Sequence, residues 1–244
     1  MVTMSMELDS DLEISSMEEM DVMSCAELVY DGFGSLFDRF LLPNLQLAPQ
    51  QWKERQMEYR IKSMTLLQKA TKKEQEDTHC KVLRIKATGE VVGMVAWEDK
   101  GQSHPFQSAA IEKDQSGPSG KEEIPPAILP SEIDSDAWDK FRFGPYQYKP
   151  EKDEVPSELF MLVVKSSQRN RRLGAVLLGE FLQSIQGRGA FLSSAMRAVP
   201  LYERHGFVIV PKSIKDGGIP VPTRVGEEKG VENSWPMIRP AVVI

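Results

Sequence analysis

The chain has 244 residues, 41% of them hydrophobic and 27% charged, which is enough for one large domain, or one domain with an elaborate insertion, and a sizeable core. Its net charge of −6 argues against wholesale nucleic-acid binding. No apolar run approaches the ~18 residues of a membrane span, and two cysteines, Cys25 and Cys80, are too few for a disulfide framework.

The start, MVTMSMELDSDLE, is acidic, with neither a basic opening nor an apolar h-region, so it does not read as a signal peptide. A cytoplasmic location is expected, with Cys25 a buried free thiol on an apolar helical face. Residues 12–16 alternate weakly and predict a first strand. Ser16-Met17-Glu18-Glu19 has the capping-box pattern. The helix it opens carries Met20, Met23, Leu28, Val29, Phe33 and Phe37, and Gly32 with Gly34 predicts a break near Phe33. A second helix is predicted over 49–70, with Pro49 in its first turn and Trp52, Tyr59, Leu66 and Leu67 on its inner face. Residues 80–86 and 91–97 predict two strands around the turn Ala87-Thr88-Gly89-Glu90, with Gly93 as a candidate bulge.

Residues 101–155 change character. They are rich in Ser, Pro, Gln, Lys and Glu and cannot bury enough apolar surface for a core of their own. Yet Trp138, Phe141, Phe143, Tyr146 and Tyr148 cluster near their end. A surface excursion and a docked short helix or lid stand as alternatives.

Residues 158–178, ELFMLVVKSSQRNRRLGAVLL, organise the rest. An apolar run, 159–164, passes through a basic turn, 165–172, into helical spacing at Leu173, Val176, Leu177 and Phe181. That is a buried strand, a tight loop and a helix. A helix start presents N–H groups without intrahelical partners and a partial positive charge, so such a loop suits an anion, usually phosphate. Arg169, Arg171 and Arg172 add three formal charges there. Gly187-Arg188-Gly189 stops the helix. A strand at 190–194, a short helix at 200–206 between Pro200 and Gly206, a strand at 207–210 and a last edge strand at 235–239 follow. The order predicts a mixed α/β sheet flanked by helices.

Arg169-Asn170-Arg171-Arg172-Leu173-Gly174 resembles the Q/R-x-x-G-x-G/A signature of the GNAT superfamily of acyl-CoA-dependent N-acyltransferases. Val164-Lys165-Ser166 falls where that family often has V-H/D-P, and Leu201-Tyr202-Glu203-Arg204-His205-Gly206-Phe207 looks like its LYE-x-x-GF segment. Two positions depart from the pattern: Arg172 replaces the first loop glycine, and Ser166 the proline. Arg172 can still offer its N–H provided the loop there needs no positive φ. The resemblance implies a single GNAT-like domain over 1–244, a mostly antiparallel sheet with a splayed cofactor strand, and a polar insertion at about 101–155. It also implies acetyl-CoA as co-substrate, held by Leu162, Val163, Val164, Arg169, Asn170, Arg171, Arg172, Leu173, Gly174 and Ala175. The expected partner is an amine acceptor, with no metal, nucleic acid or membrane, in a monomer or homodimer.

Acyl transfer from a thioester to an amine needs a neutral amine, a donor for the carbonyl oxygen, a proton for the leaving thiolate, and two substrates held close. The backbone of 162–164, splayed from its neighbour, pairs with the amide-rich pantetheine arm like a missing strand. By resemblance, Tyr202 is the proton donor and Glu158 the base, with water or Glu98 as alternatives. His205 reads as a helix-end residue. The histidine and cysteine spacing offers no zinc site, and no G-x-x-x-x-G-K-[ST] or G-x-S-x-G occurs. The expected reaction is direct acetyl transfer from acetyl-CoA to a primary amine. The competing expectation is a catalytically weak acyl-CoA-binding module.

Overall fold

The most apolar stretch becomes the middle of the sheet. In the computed structural model, which describes residues 9–42, 47–72, 77–99, 129–151, 154–222 and 233–242, strand β3 (Val91–Glu98) is buried along its whole length. A strand covered on both faces reads as a near-continuous hydrophobic run, and VVGMVAW is one. β3 pairs antiparallel with β2 (Thr78–Ile85) and with β4 (Ser157–Val164). β1 (Leu12–Ser16) flanks β2; beyond β4 come β5 (Ala190–Ala195), β7 (Ser234–Arg239) and the two-residue β6 (Val208–Ile209). Among the described strands only β4 and β5 run parallel. The expected mixed, mostly antiparallel α/β sheet is observed. The expectations for residues 1–8 and 101–128 lie outside the described residues.

Helices cover both faces. α1 (Val22–Phe37) and α2 (Pro49–Lys72) bury Cys25, Ala26, Leu28, Met64 and Leu67 against Cys80, Val82, Met94 and Val163. On the other face α4 (Leu173–Ser184) buries Leu177, Leu178 and Phe181 against Leu83, Val95, Trp97 and Leu192. The two short helices α5 (Val199–Glu203) and α6 (Pro211–Lys215) follow β5 and β6. α6 falls between the predicted strands at 207–210 and 235–239, where the sequence predicts no element.

α1 is unbroken, against the expected interruption near Phe33. A Cβ at Gly32 would lie 2.5 Å from Val163 Cγ2, so the glycine lets the helix approach β4 instead of ending it. Met20 and Met23, expected inward, are 84% and 50% exposed. The cap forms two residues later than its sequence pattern, where the Glu18 N–H donates to Asp21 Oδ2 at 2.8 Å. On α2 the buried face holds Trp52 and Leu67 as expected, but also Gln56 and Arg60, while Tyr59 and Leu66 are half-buried.

The end of the insertion is docked. Asp134 caps α3 (Ser135–Phe143) by accepting from the Ala137 N–H at 3.0 Å, and a 3-10 turn, Gly144–Tyr148, continues it. The Trp138 ring lies 4.6 Å from Phe37 and 5.1 Å from Phe40, edge-on to both, and Phe141 is 5.2 Å from Phe40. Such edge contacts add to the burial of the rings themselves. Of the two alternatives, the helix docked on α1 is the one observed for 135–148.

Candidate active site

Two strands that start as neighbours come apart here. β4 and β5 pair at Ser157↔Ala190, Glu158↔Phe191 and Leu159↔Leu192, and no further. Past that point β4 pairs only with β3, so among the described residues its other edge from 160 to 164 has no strand beside it. A bulge sits at the parting: Ala96 faces Met161 and Trp97 faces Leu159, leaving Phe160 as the extra residue. Phe160 and Met161 consequently both turn to the α1–α2 layer, while Leu159 and Leu162 pack on the α4 side. Leu162, Val163 and Val164 thus anchor the strand by their side chains and leave one row of backbone groups to the gap.

The basic loop leads from that strand into α4. Asn170 has φ 68° and Arg172 φ 60°, ψ 14°. The condition placed on Arg172 therefore fails: the loop does require a positive φ where the family pattern has glycine. A non-glycine residue in this region costs about 1–2 kcal/mol. The amides of Arg172, Leu173 and Gly174 make no backbone hydrogen bond among the described residues; the helix ladder begins with the N–H groups of Ala175 and Val176 donating to the Arg172 carbonyl at 2.9 and 3.2 Å. A Cβ at Gly174 would meet Leu201 Cδ2 at 3.5 Å and Leu162 Cδ2 at 3.8 Å, ordinary contacts, so the surrounding protein does not itself demand glycine.

The three arginines separate. Arg169 and Arg172 line the cavity with Asn170, Leu173, Gly174 and Ala175. Arg171 turns to the N-terminal segment, with Nη2 3.1 Å from Asp9 Oδ2 and 3.7 Å from Asp11 Oδ2, and Nη1 2.8 Å from Gln168 Oε1. Two of the three charges thus remain for an anion at the helix start.

A cavity of ≈ 2400 Å³ runs from this loop through the gap to the aromatic cleft between α1, α2 and α3. Tyr202 lines it from α5 and is 7% exposed. Burial raises the phenol to about 12. Glu158 lines the same cavity at the start of β4 and is 7% exposed. Both of its oxygens are engaged: Oε1 accepts from the Tyr146 hydroxyl at 2.6 Å, and Oε2 from Lys149 Nζ at 2.6 Å. Burial, followed by the charge of and hydrogen bond to Glu158, holds the Tyr146 phenol well above its ordinary value. Glu98 lies directly across from Glu158 in the β3–β4 register and is 4% exposed. His205 is half-buried at the end of α5, its Nδ1 2.8 Å from the Leu201 carbonyl oxygen.

Tyr146 and Lys149 were not among the residues expected at the site. The aromatic cluster at 137–148 was the signal for the first; nothing local marks the second.

Residues 151–223 match the family model described as the acetyltransferase (GNAT) domain. Over that stretch the chain is similar to the GNAT acetyltransferases. Its fold is shared with the structure of histone acetyltransferase HPA2 and related acetyltransferase from Corynebacterium glutamicum, at 16% identity and a TM-score of 0.51, over 96% of this chain and 98% of that one. PH1933 from Pyrococcus horikoshii is similar at 13% identity and a TM-score of 0.51, over 95% of this chain and 99% of its own. At these identities the likeness is one of fold. No curated protein matches the sequence. The matched segment includes the splayed strand, the basic loop, α4 and α5. No helix among the described residues is long and apolar enough to cross a membrane.

Proposed function

We propose that the chain transfers an acetyl group from acetyl-CoA directly to a primary amine. The parting of β4 from β5 after Leu159 and Leu192 carries this reading, because it opens a row of backbone groups beside the unpaired amides at the start of α4. The pyrophosphate would take the amides of 172–174 with Arg169 and Arg172, and the pantetheine amides would pair along 162–164. Arg171, held by Asp9, would position the loop from outside.

In the transfer step the amine nitrogen attacks the thioester carbonyl carbon, the C–S bond breaks, and the thiolate takes a proton from the Tyr202 hydroxyl. The proton lost by the amine passes to the Tyr146 oxygen while Tyr146 gives its own to Glu158, so the carboxylate acts as base through the phenol that already donates to it. Tyr202 is restored from solvent and Glu158 returns its proton to it.

The reading that GNAT architecture is kept here as an acyl-CoA-binding module has its own support. Arg172 occupies a left-handed position, and Lys149 and Tyr146 fill both oxygens of Glu158. Acetyl-CoA binding by calorimetry, followed by CoA release with a panel of primary amines, tests both readings. Binding with turnover supports transfer; binding without turnover supports the module; no binding overturns both.

A further inference from the structure

One wall of the cavity carries a charge that acyl transfer as set out above does not need. Arg60, on the inner face of α2, is 2% exposed and lines the cavity. Its guanidinium carbon stands 4.4 Å from the centroid of the Phe37 ring and 5.5 Å from that of Tyr30. Among the described residues Nη1 reaches only the Gln56 carbonyl, one helical turn back, at 3.4 Å. Nε and Nη2 are buried and make no hydrogen bond among the described residues. Asp38, the acid whose charge acts on this guanidinium, accepts at Oδ1 from Trp52 Nε1 at 2.7 Å and from Gln56 Nε2 at 3.1 Å. Burial lowers the guanidinium to about 10, so it is charged at neutral pH.

A buried cation with unsatisfied donors costs several kcal/mol, and the cost falls on a stripe of α2 where Leu or Met would pack without it. The two open donors are also specific. Nε and Nη2 share one edge of the guanidinium, the edge that makes two parallel hydrogen bonds to a carboxylate. The rest of this wall is aromatic: Phe33, Phe37, Trp138 and Phe141 line the same cavity.

We propose that Arg60 receives the carboxylate of the acceptor, so that the substrate is an amino carboxylate with an aromatic or apolar body. The inference rests on the transfer reading for the amine and on Arg60 alone for the carboxylate. The aromatic wall takes the body, and the amine end points along the cavity to Tyr146 and the strand gap.

The test compares matched ligands on the parent protein by calorimetry. A set of aromatic and aliphatic α-amino acids is titrated beside the amines that lack the carboxylate, together with arylpropionates that lack the amine. We expect at least one amino acid to bind roughly 10-fold or more tighter than its decarboxylated partner, as for a charge-assisted pair, and an arylpropionate to compete with it. Arg60→Gln should erase the preference with acetyl-CoA affinity unchanged. Equal or weaker binding of every amino acid relative to its amine overturns the proposal, as does the absence of binding by every carboxylate. The parent panel decides alone if Arg60→Gln does not fold. Carboxylate binding without acetyl-CoA turnover would leave Arg60 as assigned and remove the transfer reading. Turnover of amines with no preference for a carboxylate would do the reverse.

Discussion

Ser166 presents both its backbone N–H and its hydroxyl to the carboxylate of Asp31, at 2.6 and 2.8 Å. The GNAT resemblance leads one to expect proline here, and proline has no N–H to give. The departure thus ties the end of β4 and its loop to α1, across 135 positions of sequence. Together with Gly32 against Val163, it fixes α1 over the splayed strand at two points.

Asp31→Ala should loosen that tie. An exposed pair of hydrogen bonds contributes about 1 kcal/mol, so the melting temperature should drop by roughly 2–4 °C. Acetyl-CoA affinity should weaken only a few-fold, since no ligand group is removed. A variant that melts like the parent and binds like it would show the clamp to be idle.

Arg172→Gly isolates the cost of the left-handed loop. Relief of about 1–2 kcal/mol of strain is offset by about 0.5–1 kcal/mol of extra chain entropy, leaving a net gain of about 0–1.5 kcal/mol. Thermal denaturation should show an equal or higher midpoint. If the midpoint falls clearly, the side chain of Arg172 contributes more than its backbone costs. In a salt titration of acetyl-CoA binding, the variant should show a shallower dependence on ionic strength, having lost one charge at the anion site.

The features legible in the sequence are those written within a few residues: the apolar run before the loop, Arg169 to Gly174, the Leu201–Phe207 pattern, and the Thr88-Gly89 turn, where Gly89 takes φ 70°. The features missed depend on residues far apart. Gly32 reads as a helix break because the reason for it, Val163, lies more than a hundred residues away. Glu158 reads as a free carboxylate until the 3-10 turn after α3 brings Tyr146 and Lys149 onto it. Arg60 reads as a solvent-facing charge, although its spacing from Trp52 and Gln56 places it on the buried stripe of α2. The strand gap itself has no sequence signal beyond the resemblance; it is the absence of pairing between two otherwise ordinary strands.

Trp138→Ala tests the docked end of the insertion. The ring is half-buried and touches Phe37, Phe40 and Phe141. Truncation should cost about 2 kcal/mol, less than for a fully buried ring. Because Phe37 also supports Arg60, acceptor affinity should fall more than acetyl-CoA affinity. Loss of stability with unchanged affinity for every acceptor would reduce α3 to a structural cover.

Tyr202→Phe separates enzyme from binding module. The substitution keeps the ring against Phe207, 5.8 Å away and edge-on, and removes only the hydroxyl. Positioned acid–base groups contribute ~10²–10⁴-fold; with water substituting in part, kcat should fall roughly 10-fold or more while acetyl-CoA affinity holds. The pH dependence has a definite sign. Burial raises the folded phenol to about 12 from its ordinary value of 10.0, which keeps it protonated and able to donate. The rate of the parent should therefore show no alkaline loss from this group up to about pH 11, and the variant should run parallel to it, lower throughout. The same shift ties the residue to stability: its contribution is fully present below the unfolded pKa and is lost as pH rises from 10 through about 12. The parent should lose melting temperature across that window more steeply than Tyr202→Phe, which has no proton to give up. A full rate in the variant, together with an unchanged alkaline melting profile, would take Tyr202 out of the mechanism and leave the thiolate to draw its proton from water.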